Sequence, residues 1–221
     1  MQLLMAHERW QLLPPRSIDW EMRSVSDAET SVRPSDQGRK ELMIRHEELE
    51  GVTPEMLLWW FQHLEETMEW HGTVVPRYHV WHPIDHIHFS VERRAPDGSV
   101  GPGTKWHIVE ALGANLDFLL DESPDVVRLD TGGISLEGRA LGQTLLHLEH
   151  TFTPTPLGTR YETRMRVGLS SAILRPISRA LLRRRFSDTK AEAWLKHNVE
   201  EVGNLPHFLP KLYESEAAVS G

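Results

Sequence analysis

Apolar residues fall at two different periods along this chain, and the change of period predicts its layout. Met56, Leu57, Trp60, Phe61, Leu64 and Met68 recur at helical spacing. Thr53 can cap such a helix, and Pro54 suits its first turn, where no backbone N–H is needed. The pattern predicts a helix over residues 53–70, ended by Gly72. Further on, alternation takes over. Residues 104–112 read as a strand, with Trp106, Ile108 and Glu110 on one side and His107 and Val109 on the other. Residues 126–129, 134–136, 143–153 and 159–169 read as strands of one antiparallel sheet, with glycine- and proline-rich turns between them. In the last of these, Arg160, Glu162, Arg164 and Arg166 alternate with Tyr161, Thr163, Met165 and Val167, the pattern of a strand with one wet face and one facing a core or cavity.

Helical spacing returns at the end. Residues 173–186 predict one helix, begun near Pro176. A long one follows, capped by Ser187 or Asp188, with its body over 190–203 and a break or kink at Pro206 and Pro210. Residues 41–47 are strand-like. Residues 1–38 lack a sustained period and are punctuated by Pro14, Pro15, Pro34, Ser35, Asp36 and Gly38, so they read as an extension to a single domain at 39–215. With no internal repeat, the plan is α+β: helix, antiparallel sheet, long C-terminal helix.

Charge and composition narrow the function. The chain has 221 residues, with 24 Lys and Arg against 32 Asp and Glu, a formal net charge of −8. That balance argues against a general phosphate-backbone binder. The run Arg179, Arg183, Arg184, Arg185 reads as favourable charge at a helix end, not as a nucleic-acid patch. There are no cysteines, so disulfides, thiolate metal sites and cysteine nucleophiles are excluded, and any transition metal must take nitrogen and oxygen ligands. No apolar run reaches membrane-spanning length and the N-terminus lacks a signal-peptide pattern, so the expectation is a cytoplasmic protein without a membrane partner. Oligomeric state is open, a homodimer included.

The 13 histidines carry the candidate chemistry. Tyr78 to His88 holds four of them, with His82 and His86 on one face if helical, or His82, His86 and His88 on one side if extended. Asp85 could orient an imidazole from behind. His197 and Glu201 are spaced to stack on one helix face, and Trp194 one turn earlier marks that side as at least partly buried. Glu110 sits in an apolar strand and needs a cationic partner, a metal or an arginine, unless a strand end leaves it in water. His147 and Glu149 face one way along their strand and His150 the other, so His150 and Tyr161 could share a cavity wall and handle protons, or His150 could point to solvent. None of the short nucleotide-binding, nucleophile-elbow or zincin motifs is present.

At RYHVWHPIDH (77–86), at HNVEEVGNLPHFLP (197–210) and more loosely at TPLGTRYETRMRVG (155–168), the sequence resembles the diacetylphloroglucinol hydrolase family, which includes phloretin hydrolase. The resemblance covers most of the chain from about residue 40. It implies a helix-grip, Bet v 1-like (START-like) fold, an antiparallel sheet curled around a long C-terminal helix with a cavity between. It also implies zinc, or another divalent ion, held by two histidines and two glutamates, and hydrolysis of a carbon–carbon bond between an acyl group and a phenolic ring. By position, His86, Glu110, His197 and Glu201 match the metal ligands, and Tyr78, His150 and Tyr161 match pocket residues that act on a small aromatic substrate. Where the family has an asparagine shortly after its first metal histidine, this chain has Phe89. A metal-free carrier of hydrophobic small molecules, or a polyketide cyclase-like enzyme, is the rival on the same fold. The carrier reading requires the His and Glu groups to be scattered in space.

Overall fold

The computed structural model describes residues 9–34, 38–140, 142–169, 171 and 173–217. Ser35 and Asp36, read above as turn punctuation, and the apolar start at 1–8 lie outside them. One large antiparallel sheet dominates. Its strands are β1 (Glu29–Pro34), β2 (Lys40–Arg45), β3 (Leu49–Glu50), β6 (His86–Arg93), β7 (Lys105–Ala111), β8 (Leu119–Glu122), β9 (Asp125–Asp130), β10 (Gly133–Ala140), β11 (Gln143–Pro154) and β12 (Gly158–Val167). They run in the order β1-β2-β12-β11-β10-β9-β7-β6, with β3 beside β12 and β8 beside β7. The alternation predicted for β12 is borne out: Thr159, Tyr161, Thr163, Met165 and Val167 are buried, and the charged positions between them face outward. Gly133 permits a close approach of β10 to β11, because a Cβ there would stand 2.1 Å from the carbonyl oxygen of His150.

Four helices complete the fold: α1 (Pro54–Gln62), the single turn α2 (Tyr78–Trp81), α3 (Arg175–Arg185) and α4 (Asp188–Ala217). Helix α4 is the axis of the core. Ala191, Trp194, Leu195 and Val199 pack with Leu42, Ile44 and Met165 of the sheet. Val202, Leu205, Phe208 and Leu209 pack with Leu57, Trp60 and Phe61 of α1 and with Phe152 and Tyr161. A sheet wrapped on a long terminal helix is the expected helix-grip arrangement.

Two element predictions are corrected. The helix expected over 53–70 ends at Gln62, and Thr67–Trp70 forms strand β4, hairpinned with β5 (Thr73–Pro76). Met68 is buried either way, so helical spacing alone could not separate the two. Pairing of Met68 with Val75 decides it, with His71 and Gly72 both at positive φ in the turn. Gly72 therefore closes a hairpin, not a helix. Of the break or kink expected at Pro206 and Pro210, the break does not occur, and α4 runs on to Ala217. Each interior proline costs about 3 kcal/mol. Eight buried α4 side chains at roughly 1.5–3 kcal/mol each outweigh both. The helix start does follow expectation, since Ser187 Oγ accepts the backbone N–H of Lys190.

The N-terminal arm lies on this frame. β1 adds an edge strand to β2. Arg23 crosses α4 where Gly203 leaves room for its methylenes, and donates to the carbonyls of Glu47 and Glu48. Trp20 donates to Asn204, and the backbone N–H of Arg16 reaches the carbonyl of Pro83, just before Asp85.

Candidate metal centre

The site lies where α2, the first residue of β6 and the middle of α4 meet. Arg77, almost fully buried, anchors the approach. Its guanidinium donates to the carbonyls of His63 and Thr67 and pairs with Glu66 and Glu216. That fixes the turn of α2, from which Tyr78 stacks face to face on His86 at 3.6 Å between ring centroids. His86 opens β6 directly opposite Glu110 of β7. From the other side, α4 brings in His197 and Glu201.

The bonds behind each imidazole set which nitrogen faces the centre. His86 Nδ1 donates to the carbonyl of Tyr78 at 2.7 Å, and His197 Nδ1 donates to Asp85 Oδ2 at 3.0 Å. Asp85 is itself held by the backbone N–H groups of Gly113 and Ala114. Both Nε2 atoms therefore point at the carboxylates. His86 Nε2 stands 3.6 Å from Glu110 Oε1 and 3.5 Å from Glu201 Oε2. His197 Nε2 stands 3.5 Å from Glu110 Oε2 and 3.8 Å from Glu201 Oε2. Tyr78 Oη donates to Glu110 Oε1, the oxygen that faces His86, at 2.5 Å, and Asn198 Nδ2 donates to Glu201 Oε1, the oxygen turned away from the imidazoles.

These separations are at or beyond the limit of a good hydrogen bond. Ligands about 2.0–2.1 Å from a zinc ion at tetrahedral angles lie roughly 3.3 Å from one another. His86 Nε2 is buried with no hydrogen-bond partner among the described residues, the state of a lone pair aimed at a cation. The electrostatics agree. Burial, reinforced by His197 and His82, holds His86 well below the usual imidazole range, so it is neutral. Burial opposes a charge on His197, but Glu110, the Asp85 bond and Glu201 outweigh it and raise its pKa. Burial, with Glu110 adding to it, raises Glu201 against the pull of His197. Two neutral-capable imidazoles and two carboxylates fit a divalent cation with nitrogen and oxygen ligands.

All four residues singled out as ligands are thus brought together, as are their neighbours. Tyr78 differs in detail, because its hydroxyl is already committed to Glu110. His150 does not point to solvent. It faces inward on β11, stacked with Phe61, and Tyr161 follows at the adjacent inward position of β12. Burial holds His150 down to about 3, and burial with Glu201 nearby holds Tyr161 well above the usual phenol range. Both are neutral near pH 7, and Tyr161 Oη has no hydrogen-bond partner among the described residues.

One expectation fails. His82, His86 and His88 do not share a side. A register shift between His86 and His88 sets His88 opposite Val109, on the outer face, where it stacks on Trp10 beside His107. His82 is buried, yet it backs the site instead of joining it. Its Nδ1 accepts the N–H of Asp85, so Nε2 carries the proton and donates to Glu200, while the ring stacks on His197. Sequence reasoning missed His46, Thr163 and Asn198. Alternation with Leu42 and Ile44 could have placed His46 inward, and the i,i+3 step to Glu201 could have flagged Asn198.

Fold and cluster together define a helix-grip protein with two histidines and two glutamates converging inside the grip. The comparisons with known proteins follow the same line. Residues 37–119 match the family described as DAPG hydrolase, PhiG domain, so the resemblance read from the sequence holds over that segment, which includes His86 and Glu110. No curated protein matched the chain. Among solved structures, protein NE0264 from Nitrosomonas europaea is 12% identical, covering 83% of this chain and 99% of its own, with a TM-score of 0.45. Protein Ms6760 from Mycobacterium smegmatis is 12% identical over 79% of this chain and 96% of its own, at 0.44. Ara h 8.0201 is 9% identical over 80% and 99%, at 0.41. These are distant likenesses in fold. Among the described residues, no helix is long and apolar enough to cross a membrane.

Proposed function

We propose that this chain is a metal-dependent hydrolase that cleaves the carbon–carbon bond between an acyl group and a phenolic ring. Zinc is the proposed ion, held by His86, Glu110, His197 and Glu201. The observation that carries the reading is the cluster of His86, His197 and Glu201 with Glu110 beside it, each His–Glu pair at 3.5–3.8 Å and both imidazoles held from behind so that Nε2 faces inward. The match of residues 37–119 to the DAPG hydrolase domain supports the class of reaction. The clustering of these groups favours this reading over the metal-free carrier, which called for them to be dispersed.

A divalent ion in this position supplies Lewis acidity to a substrate oxygen or to water. The protein's own groups do the rest. An aryl carbanion is a poor leaving group, so the ring carbon must first be protonated to a keto form. Tyr161, neutral and unpartnered, donates a hydrogen bond to a ring oxygen and favours that form. His150, neutral and inward-facing, takes a phenolic proton and returns one to the ring. Tyr78 holds Glu110 and presents an aromatic wall with Phe89 and Trp106. Phe89, packed where the resembling family has an asparagine, favours a ring edge without a hydroxyl at that point.

Metal analysis of the purified protein, alongside mass-spectrometric detection of acid and phenol released from an acylphenol panel, tests the proposal. The expected result is one ion per chain, with metal and activity both lost in His197→Ala and Glu201→Ala. Full metal content in both variants would remove these ligands.

A further inference from the structure

Helix α3 carries a charge pattern that neither the core nor the metal centre uses. Its eleven residues, Arg175–Arg185, hold five arginines and no carboxylate, in a chain whose formal net charge is −8. Favourable charge at a helix C-terminus accounts for Arg183, Arg184 and Arg185. It does not account for Arg175, which opens the helix where the macrodipole disfavours a cation, or for Arg179. None of the five makes an ion pair with a described carboxylate. Arg185 feels the charge of Glu122 on β8 without bonding to it. The helix is docked by one narrow face. Ser178 Oγ donates to the carbonyl of Gly38 and accepts the backbone N–H of Leu169. Leu182 and Phe186, at the next steps of four, join the apolar core with Leu42, Trp194 and Leu195. That docking fixes which side looks outward. Ile177, Ala180 and Arg184 recur at helical spacing on the side turned away from Ser178 and Leu182, and all three are exposed. Ile173, in the turn leading into the helix, is 88% exposed and Ile177 is 51% exposed. Arg179 and Arg183, also exposed, run along one flank. The outer side is therefore an apolar ridge edged with unpaired guanidinium groups.

We infer that α3 is a peripheral membrane contact, which seats Ile173 and Ile177 at the headgroup–acyl boundary while Arg179, Arg183 and Arg184 meet the phosphates of anionic lipids. Charge complementarity selects an anionic surface, since unpaired arginines gather on one helix of an acidic chain. The two exposed isoleucines select a bilayer over a nucleic acid. A basic helix with an apolar ridge suits the boundary between headgroups and acyl chains, whereas binding to a phosphate backbone makes no use of the ridge. A contact of this kind lies on the surface and needs no spanning helix, so the lack of one among the described residues does not bear on it. The inference does not rest on the hydrolase reading, and the failure of either leaves the other standing.

Co-sedimentation of the full chain with lipid vesicles tests this, comparing mixed phosphatidylglycerol–phosphatidylcholine vesicles with phosphatidylcholine alone. The expected partition is at least tenfold higher onto the anionic vesicles and falls as salt is raised. The triple variant Arg179→Gln, Arg183→Gln, Arg184→Gln should lower it at least tenfold. The triple variant Arg33→Gln, Arg45→Gln, Arg160→Gln removes the same charge from exposed positions on the sheet and should stay within twofold of the wild type. Ile173→Ser combined with Ile177→Ser should lower partition at least threefold. Because the chain has no cysteine, a fluorophore attached through Ala180→Cys reports on the ridge alone. Its emission should shift to the blue with anionic vesicles and not with duplex DNA. Equal losses in the two arginine triples would reduce the effect to net charge and overturn the inference. Unchanged partition in the double isoleucine variant would overturn it too, as would tighter binding to duplex DNA than to vesicles. Absence of binding to anionic vesicles ends it outright, and a solution dimer that Ile177→Ser dissociates assigns the ridge to a second copy of the chain instead.

Discussion

Asp85 shows how much one side chain can decide at the residue scale. It is not one of the four proposed ligands, yet it orients one of them, His197, and two backbone N–H groups hold its carboxylate in place. The bond to His197 and the charge of nearby histidines overcome burial and hold its carboxyl well below the usual range. Asp85→Asn should therefore weaken zinc binding by about 10–100-fold while leaving all four ligands in place. Competition against a chelator of known affinity measures this, and unchanged affinity would show that His197 needs no such support. Phe89 is the residue where specificity is expected to turn. Phe89→Asn should raise the kcat/KM ratio of a trihydroxylated over a less hydroxylated acylphenol by about tenfold, the worth of one hydrogen bond of roughly 1–1.5 kcal/mol. An unmoved ratio would mean that this wall does not meet the ring.

At the scale of elements, α2 is a single turn that cannot hold itself, since one turn of helix makes too few bonds to offset its ordering. It is kept by Arg77, whose guanidinium ties α2 to the loop after α1, to β4 and to the far end of α4. Arg77→Met should lower stability by about 2–4 kcal/mol, because it unpairs two carbonyls and two carboxylates at once. Thermal unfolding monitored by tryptophan fluorescence reports it, and a change below about 0.5 kcal/mol would contradict the account. The same element explains why the histidine cluster was only partly legible. The spacing in residues 78–88 fits either a helix or a strand. The segment is in fact a helical turn, a bend and a bulged strand in succession. Each change of conformation rotates the next imidazole, so His82, His86 and His88 take three different roles. By contrast, His197 and Glu201 were legible because a helix has one period, and burial of Trp194 fixed which face looked inward.

For the molecule as a whole, burial of histidines ties stability to pH. His46 and His150 are both held down to about 3 in the folded state, against about 6.5 when unfolded. Above pH 6.5 neither state binds these protons, and their contribution is fully present. As pH falls from 6.5 toward 3 the unfolded chain takes up protons that the folded chain refuses, and stability is lost. The loss amounts to several kcal/mol per histidine, on the order of 1.4 kcal/mol for each pH unit crossed. In chelator-treated protein, His46→Gln should show a shallower fall in Tm between pH 6.5 and 4 than the wild type. Parallel curves would mean that His46 titrates normally inside the fold.

What the sequence determined by itself was whatever depends on local period and residue type. Alternation set the sheet and its inward residues, helical spacing set α4 and its His–Glu step, and the absence of cysteine restricted any metal to nitrogen and oxygen donors. Only the tertiary structure decided what depends on distance between remote segments. It set Glu110 opposite His86, turned His88 away and gave His197 its partner in Asp85. It also ended α1 in favour of a hairpin and carried α4 through two prolines. The physical reason is the same throughout. Local propensities differ by about 1 kcal/mol per residue, whereas packing a buried side chain or satisfying a buried polar group contributes as much or more, so the partner a residue finds across the fold outweighs the neighbours it has along the chain.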